Sequence, residues 1–327
     1  MIINTYLPKK VVTNQELQRE FTEWDADAFE KKIGIKQRHV ADAQQTALDL
    51  AVEAGKKILN DFDKTKIDFV LFCTQSPDYY LPTSACIIQN RLGLANSCGA
   101  LDFNLGCSGY IYGLSLIKGL LAGNIANNIL FITAETYSKY IHPKDRTNRS
   151  IFGDGAAATI VTKEDLNKLG EFVLKTDGDG FDKLIVRNGA ARFPFECNPE
   201  EITYGSENKY TNNNLYMNGP DIFTFTIENV PDLVEQTLKK NNLDLNEIDY
   251  FIYHQANAFM LNFLRKKSKI PKEKFFIDLY ETGNTVSATI PIALKKSIDN
   301  SVVKPGDKIL LAGFGVGLSW GATVITI

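Results

Sequence analysis

The chain has 327 residues, 44% of them hydrophobic and 23% charged, which is typical of a folded globular protein long enough for two domains or two fused halves. A formal net charge of -3 argues against a broad basic surface for nucleic acid. No apolar run approaches the ~20 residues that cross a bilayer, and residues 1–4 lack a secretory pattern, so we expect neither membrane association nor export.

The cysteine content narrows the expected compartment and site chemistry. Five cysteines are scattered along the chain without a C-x-x-C pair. A disulfide framework and a zinc site are therefore not expected, and a reducing cytoplasm fits best.

Two stretches of the chain repeat one order of predicted elements. In the first stretch, a strand-length apolar run at 66–75 precedes a second run at 100–105. A Gly-Cys-Ser-Gly turn at 106–109, a helix over 110–122 and a strand at 129–133 follow. Runs that are apolar throughout predict strands covered by helices on both faces of a sheet.

The second stretch has the same order. Apolar runs at 247–256 and 274–279 precede a Thr-Gly-Asn turn at 282–284, a helix to residue 298 and a strand at 308–312. Strand, turn, helix and strand form the right-handed βαβ unit. Any α/β protein contains similar units, but the shared order favours two related halves, here 1–165 and 166–327. Halves that face each other would bring the turns after their strands to one site.

The turn at Cys107 is the most informative for chemistry. Gly106 and Gly109 permit a sharp bend on either side of the cysteine. A cysteine in this position lies near a helix N-terminus, where the dipole and the free N–H groups favour the thiolate. The alternative is a buried structural thiol, and the turn alone does not decide between the two.

His254 is the one histidine of three that ends a predicted buried strand. A histidine in such a place often has only a structural role. As a site residue, its neutral imidazole can donate a hydrogen bond to a thioester carbonyl and transfer a proton near neutral pH.

Asn284 occupies the turn that corresponds to the turn of Cys107. Its amide N–H₂ would donate to a developing oxyanion at any pH, whereas the alternative is an asparagine that only caps the next helix. The glycine-rich segment 314–321 lacks a phosphate-binding pattern, and its backbone N–H groups could complete an oxyanion hole.

Taken together, these segments resemble the 3-oxoacyl-acyl-carrier-protein synthase III family of the thiolase superfamily. The resemblance covers essentially the whole chain. It runs through Tyr-Leu-Pro at 6–8, Gly-Ile-Lys-Gln-Arg-His at 34–39, Pro-Thr-Ser-Ala-Cys at 82–86, Gly-Cys-Ser-Gly at 106–109, Phe-Gly-Asp-Gly-Ala at 152–156, His-Gln-Ala-Asn at 254–257, Gly-Asn-Thr at 283–285 and Trp-Gly at 320–321. It implies a thiolase-like α/β fold in which two βαβ-based halves stack as α-β-α-β-α layers.

The resemblance also implies a Cys–His–Asn triad of Cys107, His254 and Asn284, with an oxyanion hole from the backbone N–H groups of Cys107 and Val316. An acyl-CoA would acylate Cys107, and decarboxylation of a malonyl thioester, expected on acyl carrier protein, would give the enolate that attacks the acyl group. This chemistry would serve fatty-acid initiation or a specialised acyl pathway. It would need no metal and no organic cofactor, with coenzyme A thioesters as substrates.

Binding residues are implied in the same way. Arg146 and Phe29 would contact coenzyme A, Asn257 the substrate, and Leu81 the acyl pocket across a homodimer. The residues expected to contact acyl carrier protein are Arg265, Lys266 and Lys267.

Three positions depart from the family pattern. Val316 replaces the middle residue of a usual Gly-Gly-Gly, Ala28 replaces a tryptophan that stacks on adenine, and Phe259 replaces an arginine that contacts the carrier. The primer and the carrier are therefore the least determined properties.

The alternatives to condensation are acyl transfer from Cys107 without decarboxylation, a catalytically silent thiolase-fold subunit and a Rossmann oxidoreductase. Retention of His254 and Asn284 favours condensation over the first two. The last lacks a dinucleotide fingerprint.

Overall fold

The computed structural model describes residues 1–205 and 207–327. The strands are β1 (Ile2–Tyr6), β2 (Lys10–Thr13), β3 (Gln37–Val40), β4 (Phe69–Cys73), β5 (Gly99–Phe103), β6 (Asn128–Glu135), β7 (Gly155–Thr162), β8 (Leu169–Thr176), β9 (Leu184–Val186), β10 (Ile202–Tyr204), β11 (Asn208–Tyr210), β12 (Leu215–Met217), β13 (Tyr250–Tyr253), β14 (Phe275–Phe276), β15 (Lys308–Gly315) and β16 (Ser319–Thr326). The helices are α1 (Asn14–Glu20), α2 (Ala26–Ile33), α3 (Ala47–Ile58), α4 (Ser84–Leu92), α5 (Gly109–Ala122), α6 (Arg146–Ile151), α7 (Gly219–Lys240), α8 (Ala258–Lys267) and α9 (Thr289–Asp299).

Two five-stranded sheets share one topology. Their strand orders are β1-β7-β6-β4-β5 and β8-β16-β15-β13-β14. In each sheet the first two pairings are antiparallel and the last two are parallel. Helix α5 follows β5 in the first half, as α9 follows β14 in the second. The repeat expected from the sequence is therefore confirmed.

Helices α5 and α9 form the middle layer between the sheets. Ile111 of α5 and Leu294 of α9 share one core cluster with Leu71 of the first sheet and Ile252 of the second. The neighbouring strand residues point the other way, with Phe72 against α3 and α4 and Phe251 against α7 and α8. The central strands β4 and β13 thus bury both faces, which contributes roughly 1.5–3 kcal/mol per large apolar side chain. The predicted α-β-α-β-α layering is confirmed.

The division of the chain at 165/166 into two domains stays a prediction. Strand β7 ends at Thr162 in the first sheet, and β8 begins at Leu169 in the second. Phe29, Ile33 and Ile35, although early in the chain, pack in the outer core of the second half. The amino-terminal segment therefore contributes to both halves.

Within the part of the chain that the structure describes, no helix combines the length and apolarity needed to cross a membrane.

Candidate active site

Cys107 lies in the turn between β5 and α5. Gly106 accepts a 2.8 Å hydrogen bond from the N–H of Gly109, which closes the turn, and the cysteine is 5% exposed. Strand β15 passes directly against it. A Cβ on Gly315 would lie 2.9 Å from Cys107 Sγ, and one on Gly313 would lie 2.7 Å from the Cys107 carbonyl oxygen. Both positions need glycine because the strand approaches the thiol so closely.

Burial controls the ionisation of this thiol. Desolvation, together with the negative charge of Glu135, raises the pKa of Cys107 to about 12. Hydrogen bonds from the backbone N–H groups of Val316 and Cys107 itself lower that pKa in part. These are the two N–H groups that the family resemblance implies for an oxyanion hole. Because desolvation outweighs these hydrogen bonds, the resting group is a thiol, and the thiolate that a helix N-terminus favours is not the resting form.

His254 directly follows β13 and is buried. Its backbone N–H donates to the carbonyl of Ala312 at 2.7 Å, and its ring meets Phe314 edge-on at 5.7 Å between centroids. Burial lowers the pKa of this imidazole to about 3, so the ring is neutral at physiological pH.

Thr289, the first residue of α9, contacts one ring nitrogen of His254 through its hydroxyl group. Its Oγ1 lies 2.7 Å from His254 Nδ1 and 3.0 Å from the Val286 carbonyl oxygen. If the hydroxyl donates to Nδ1, Nε2 carries the hydrogen and can donate. If it donates to Val286, Nδ1 carries the hydrogen and Nε2 can accept a proton. Nε2 makes no hydrogen bond to any of the described residues.

Asn284 is fixed on three sides. Its N–H donates to the carbonyl of Ile151 at 2.9 Å, and its carbonyl accepts from the N–H of Gly153 at 3.0 Å. Its side-chain Oδ1 accepts from the N–H of Val286 at 2.8 Å. Nδ2 is left without an acceptor among residues 1–205 and 207–327 and can donate to a ligand. Gly283 adopts φ +64°, and a Cβ there would lie 2.8 Å from the Ile151 carbonyl oxygen.

Val286 links the three predicted catalytic residues. Its N–H holds Asn284, and its backbone hydrogen-bonds to His254 and raises the pKa of that imidazole against the larger effect of burial. Its side chain belongs to the same apolar cluster as Cys107. The two halves therefore place Cys107 from one side and His254 with Asn284 from the other around a shared centre. Sequence reasoning missed Val286 and Thr289, whose only signal was their place shortly after Asn284, at or just before the start of α9.

A cavity of about 1490 Å³ opens beside this centre. Its wall includes Val316, Leu184 and Leu215, which also belong to the apolar cluster around Cys107. The catalytic side chains do not line it. Val316 lines it and also hydrogen-bonds to the Cys107 thiol through its backbone N–H, so Val316 lies between the thiol and the cavity. The exposed loop 79–81 also forms part of the wall, and Leu81 there is 82% exposed.

The residues expected to bind coenzyme A lie on separate elements. Arg146 begins α6 and is half-buried. Phe29, in α2, packs on Trp24 with ring centroids 5.0 Å apart. Asn257 caps α8, where its side chain accepts from the N–H of Met260 at 2.8 Å.

The basic end of α8 is only partly available to a partner. Arg265 Nη1 donates to the Ile270 carbonyl at 2.9 Å, and Lys267 Nζ donates to the Ile227 carbonyl at 2.6 Å. Lys266 is exposed without such a contact. In the described part of the chain, no group of three or more His, Cys, Asp or Glu side chains is placed to hold a metal ion.

Comparison with known proteins gives one consistent family. Residues 101–178 match the model for 3-oxoacyl-[acyl-carrier-protein] synthase III, and residues 238–327 match the model for its C-terminal part. A beta-ketoacyl-[acyl-carrier-protein] synthase III from Clostridium perfringens is 38% identical over 98% of this chain and 97% of its own length. The corresponding protein of Caldanaerobacter subterraneus is 35% identical over 98% of this chain and 95% of its own length.

Solved structures agree with the sequence relatives. A 2.1 Å crystal structure of a 3-oxoacyl-(acyl-carrier-protein) synthase III has a TM-score of 0.98 and 44% identity, and the match covers 100% of this chain and 98% of that one. A 3-oxoacyl-(acyl-carrier protein) synthase from Burkholderia xenovorans has a TM-score of 0.87 and 33% identity, over 99% of this chain and 92% of that one.

Proposed function

Because the chain belongs to the 3-oxoacyl-acyl-carrier-protein synthase III family, we propose that it condenses an acyl thioester with a malonyl thioester. The products are a 3-oxoacyl thioester and carbon dioxide. The observation that carries the proposal is the arrangement of a buried thiol, two backbone N–H groups and two side-chain nitrogens, His254 Nε2 and Asn284 Nδ2, that are not used by the described residues.

In the first half-reaction, Cys107 Sγ attacks the carbonyl carbon of an acyl-CoA. The sulfur–carbon bond of the acyl enzyme forms, the bond to the coenzyme A sulfur breaks, and the thiol proton passes to the departing thiolate. Burial holds the pKa of Cys107 near 12. His254 Nε2, in the tautomer with hydrogen on Nδ1, can relay the proton to the departing thiolate, and it assists this transfer without being required for it. The N–H groups of Cys107 and Val316 stabilise the oxyanion.

In the second half-reaction, His254 Nε2–H and Asn284 Nδ2–H donate to the thioester carbonyl of the malonyl group. The carbon–carbon bond to the carboxylate breaks, carbon dioxide leaves, and the electron pair becomes an enolate that these two donors stabilise. The enolate carbon attacks the acyl carbonyl, the new carbon–carbon bond forms, and Cys107 leaves as a thiolate that takes up a proton. Transfer of the acyl group to another nucleophile would have less use for the Asn284 amide, so condensation is favoured.

The test separates the two half-reactions. Intact-protein mass after incubation with an acyl-CoA should rise by one acyl group in the wild type, and not in Cys107→Ala. Cys197→Ala is the matched control, because Cys197 is an exposed cysteine in the wall of the same cavity. His254→Ala and Asn284→Ala should still acylate and should lose malonyl-dependent turnover.

Either of two results would reject the proposal. One is the absence of an adduct with any acyl thioester donor. The other is an unchanged condensation rate in both His254→Ala and Asn284→Ala.

The malonyl donor is proposed to arrive on acyl carrier protein at the carboxyl end of α8. Lys266 supplies an exposed positive charge there, and Phe259 and Phe263 form an exposed aromatic surface with Phe223. Lys266→Glu should raise KM for malonyl-acyl carrier protein and leave KM for malonyl-CoA unchanged. Lys304→Glu, at an exposed turn before β15, is the matched control. Equal effects on both donors would contradict this docking site.

The protein is proposed to act as a homodimer. Strand β5 lies at a sheet edge, Leu101 on it is exposed, and Tyr80 and Leu81 next to the cavity are each 82% exposed. Exposed large hydrophobic side chains and an unpaired strand edge are typical of a surface that associates with another protein chain. Light scattering should give twice the chain mass, and Leu101→Lys should reduce it. A wild-type monomer would contradict the proposal.

A further inference from the structure

Glu135 is a fully buried carboxyl group to which the mechanism above assigns no role. It is the last residue of β6 and is 0% exposed. Its oxygens accept from the N–H of Gln75 at 3.1 and 3.2 Å and from the hydroxyl of Ser76 at 3.0 Å. These donors all belong to the first half. A buried carboxyl is retained at a high desolvation cost, which makes its position informative.

The third donor comes from the second half. Ser287 Oγ lies 2.8 Å from Glu135 Oε1. Ser287 is in the turn 284–289, between Asn284 and Thr289, and so between the residues that present the amide donor and orient the imidazole of His254. One hydrogen bond therefore ties this turn to the end of a strand in the other half.

The same carboxyl also touches the support of the nucleophile. Gln75, held by Glu135, places its side-chain Oε1 under the turn of Cys107, where a Cβ on Gly106 would come within 2.5 Å of it. Tyr137 donates its hydroxyl to the same Oε1, and Gln75 Nε2 donates to Asn104 at 3.0 Å. Glu135 is thus joined to both turns that must meet during condensation.

The surroundings favour the neutral form of the carboxyl. Burial raises the pKa of Glu135 to about 8, against the hydrogen bonds from its three donors, and Asp154 adds to the rise. The other titratable groups that face it are Cys107, Cys73, Tyr137 and Tyr140, and burial raises the pKa of each, so all four are neutral beside it. A neutral Glu135 can bridge the halves without opposing the thiolate that forms at Cys107.

We propose that Glu135 is a positioning residue for the condensation step, in which its bond to Ser287 holds the turn 284–289 in register with the turn of Cys107. The inference rests on the proposed condensation. It assigns Glu135 no contact with substrate. Displacement of catalytic donors by about 1 Å is enough to reduce a rate on the order of a hundredfold.

The experiment compares the half-reactions in Glu135→Gln, Glu135→Ala and Ser287→Ala. Acylation is followed by intact mass, and condensation by the consumption of pre-formed acyl enzyme on addition of malonyl thioester. Ser287→Ala should lower condensation on the order of tenfold or more, with acylation within about threefold of wild type. Glu135→Ala should lower condensation at least as much, with a smaller loss of acylation because Gln75 is released from below the turn of Cys107. Glu135→Gln, which keeps the shape and one acceptor oxygen, should recover part of the loss. The double substitution Glu135→Ala with Ser287→Ala should be no slower than Glu135→Ala alone.

Ser297→Ala is the matched control. Ser297 is equally buried, but its hydroxyl donates to the Leu294 carbonyl of its own helix at 2.7 Å and links nothing between the halves. It should leave both rates unchanged.

Two results would overturn the inference. In the first, condensation by Ser287→Ala matches wild type. In the second, acylation and condensation fall by the same factor in step with thermal stability, which is the behaviour of a merely structural group. If wild-type protein acylates but does not condense, the proposed function fails instead, and the wild-type measurement in the same assay shows that outcome.

Discussion

Gly315→Ala should block acylation of Cys107 while the protein remains folded. The added methyl group would lie 2.8 Å from Cys107 Cβ and 2.9 Å from Sγ. Non-bonded carbon atoms prefer separations of about 3.5–4.0 Å, so the thiol or the strand must move by about 1 Å. Overpacking of this size costs about 1–3 kcal/mol of stability, which a folded chain of this length tolerates.

The effect on chemistry should exceed the effect on stability. The methyl group occupies the space beside Sγ, and a displacement of about 1 Å at a reacting atom lowers a rate on the order of a hundredfold. Intact mass over time after addition of acyl-CoA measures the acylation rate, and thermal unfolding measures the fold.

Gly119→Ala is the control for this substitution. Gly119 lies inside α5, and a Cβ there would meet no atom within 4 Å. Alanine should therefore stabilise the helix by about 0.5–1 kcal/mol and leave acylation unchanged. Wild-type acylation by folded Gly315→Ala would refute the proposed approach of β15 to the nucleophile.

Three further predictions concern the condensation step, the side chain of Val316 between the thiol and the cavity, and the pH dependence of stability. Thr289→Val keeps the side-chain shape but removes the hydroxyl 2.7 Å from His254 Nδ1, so condensation should fall on the order of tenfold or more, whereas Thr289→Ser should retain it. Equal condensation rates in these two variants would show that the Thr289 hydroxyl does not orient His254 for condensation. Val316→Gly keeps the backbone N–H and removes the side chain between thiol and cavity, so acylation should persist and extend to bulkier acyl-CoAs in a competition assay. An unchanged chain-length preference would contradict this role. The pKa of Glu135 is about 8 in the folded protein, above its ordinary 4.5, so the native state binds the proton more tightly than the unfolded chain does. The free energy of unfolding should therefore fall as the pH rises from 4.5 to about 8, by at most about 1.4 kcal/mol per pH unit. Denaturant unfolding of Glu135→Gln should lack this slope, and parallel pH profiles would show that the carboxyl does not titrate there.

Much of the architecture follows from local pattern. Runs such as 69–73 and 250–253 are apolar at every position, because alternate residues face the middle and the outer helical layers. The repeated order of strand, turn and helix then predicts that the turns of Cys107 and Asn284 occupy equivalent places. Both inferences depend only on neighbouring residues, which is why they are readable in the sequence.

The electrostatics of the site depend on packing between the halves and are not readable in that way. A cysteine before a helix suggests a low thiol pKa, but burial raises the pKa of Cys107 to about 12. The contact of Glu135 with Ser287 joins residues 152 positions apart, and neither residue belongs to a recognisable motif.

The direction in which a side chain points could not be predicted from the sequence either. The basic run 265–267 suggests a surface patch, yet Arg265 turns back to the Ile270 carbonyl at the end of its own helix. Thr289 looks like an ordinary residue at a helix start, and its importance comes from the distance to His254 alone.

Mass spectrometry of the acyl enzyme tests the central claim most directly. Wild-type protein incubated with an acyl-CoA should gain one acyl group, located by peptide mapping on Cys107, and should lose it as a 3-oxoacyl product when malonyl thioester is added. Asn284→Ala should gain the same group and keep it. An adduct on any other residue, or loss of the acyl group from Asn284→Ala at the wild-type rate, would contradict the account.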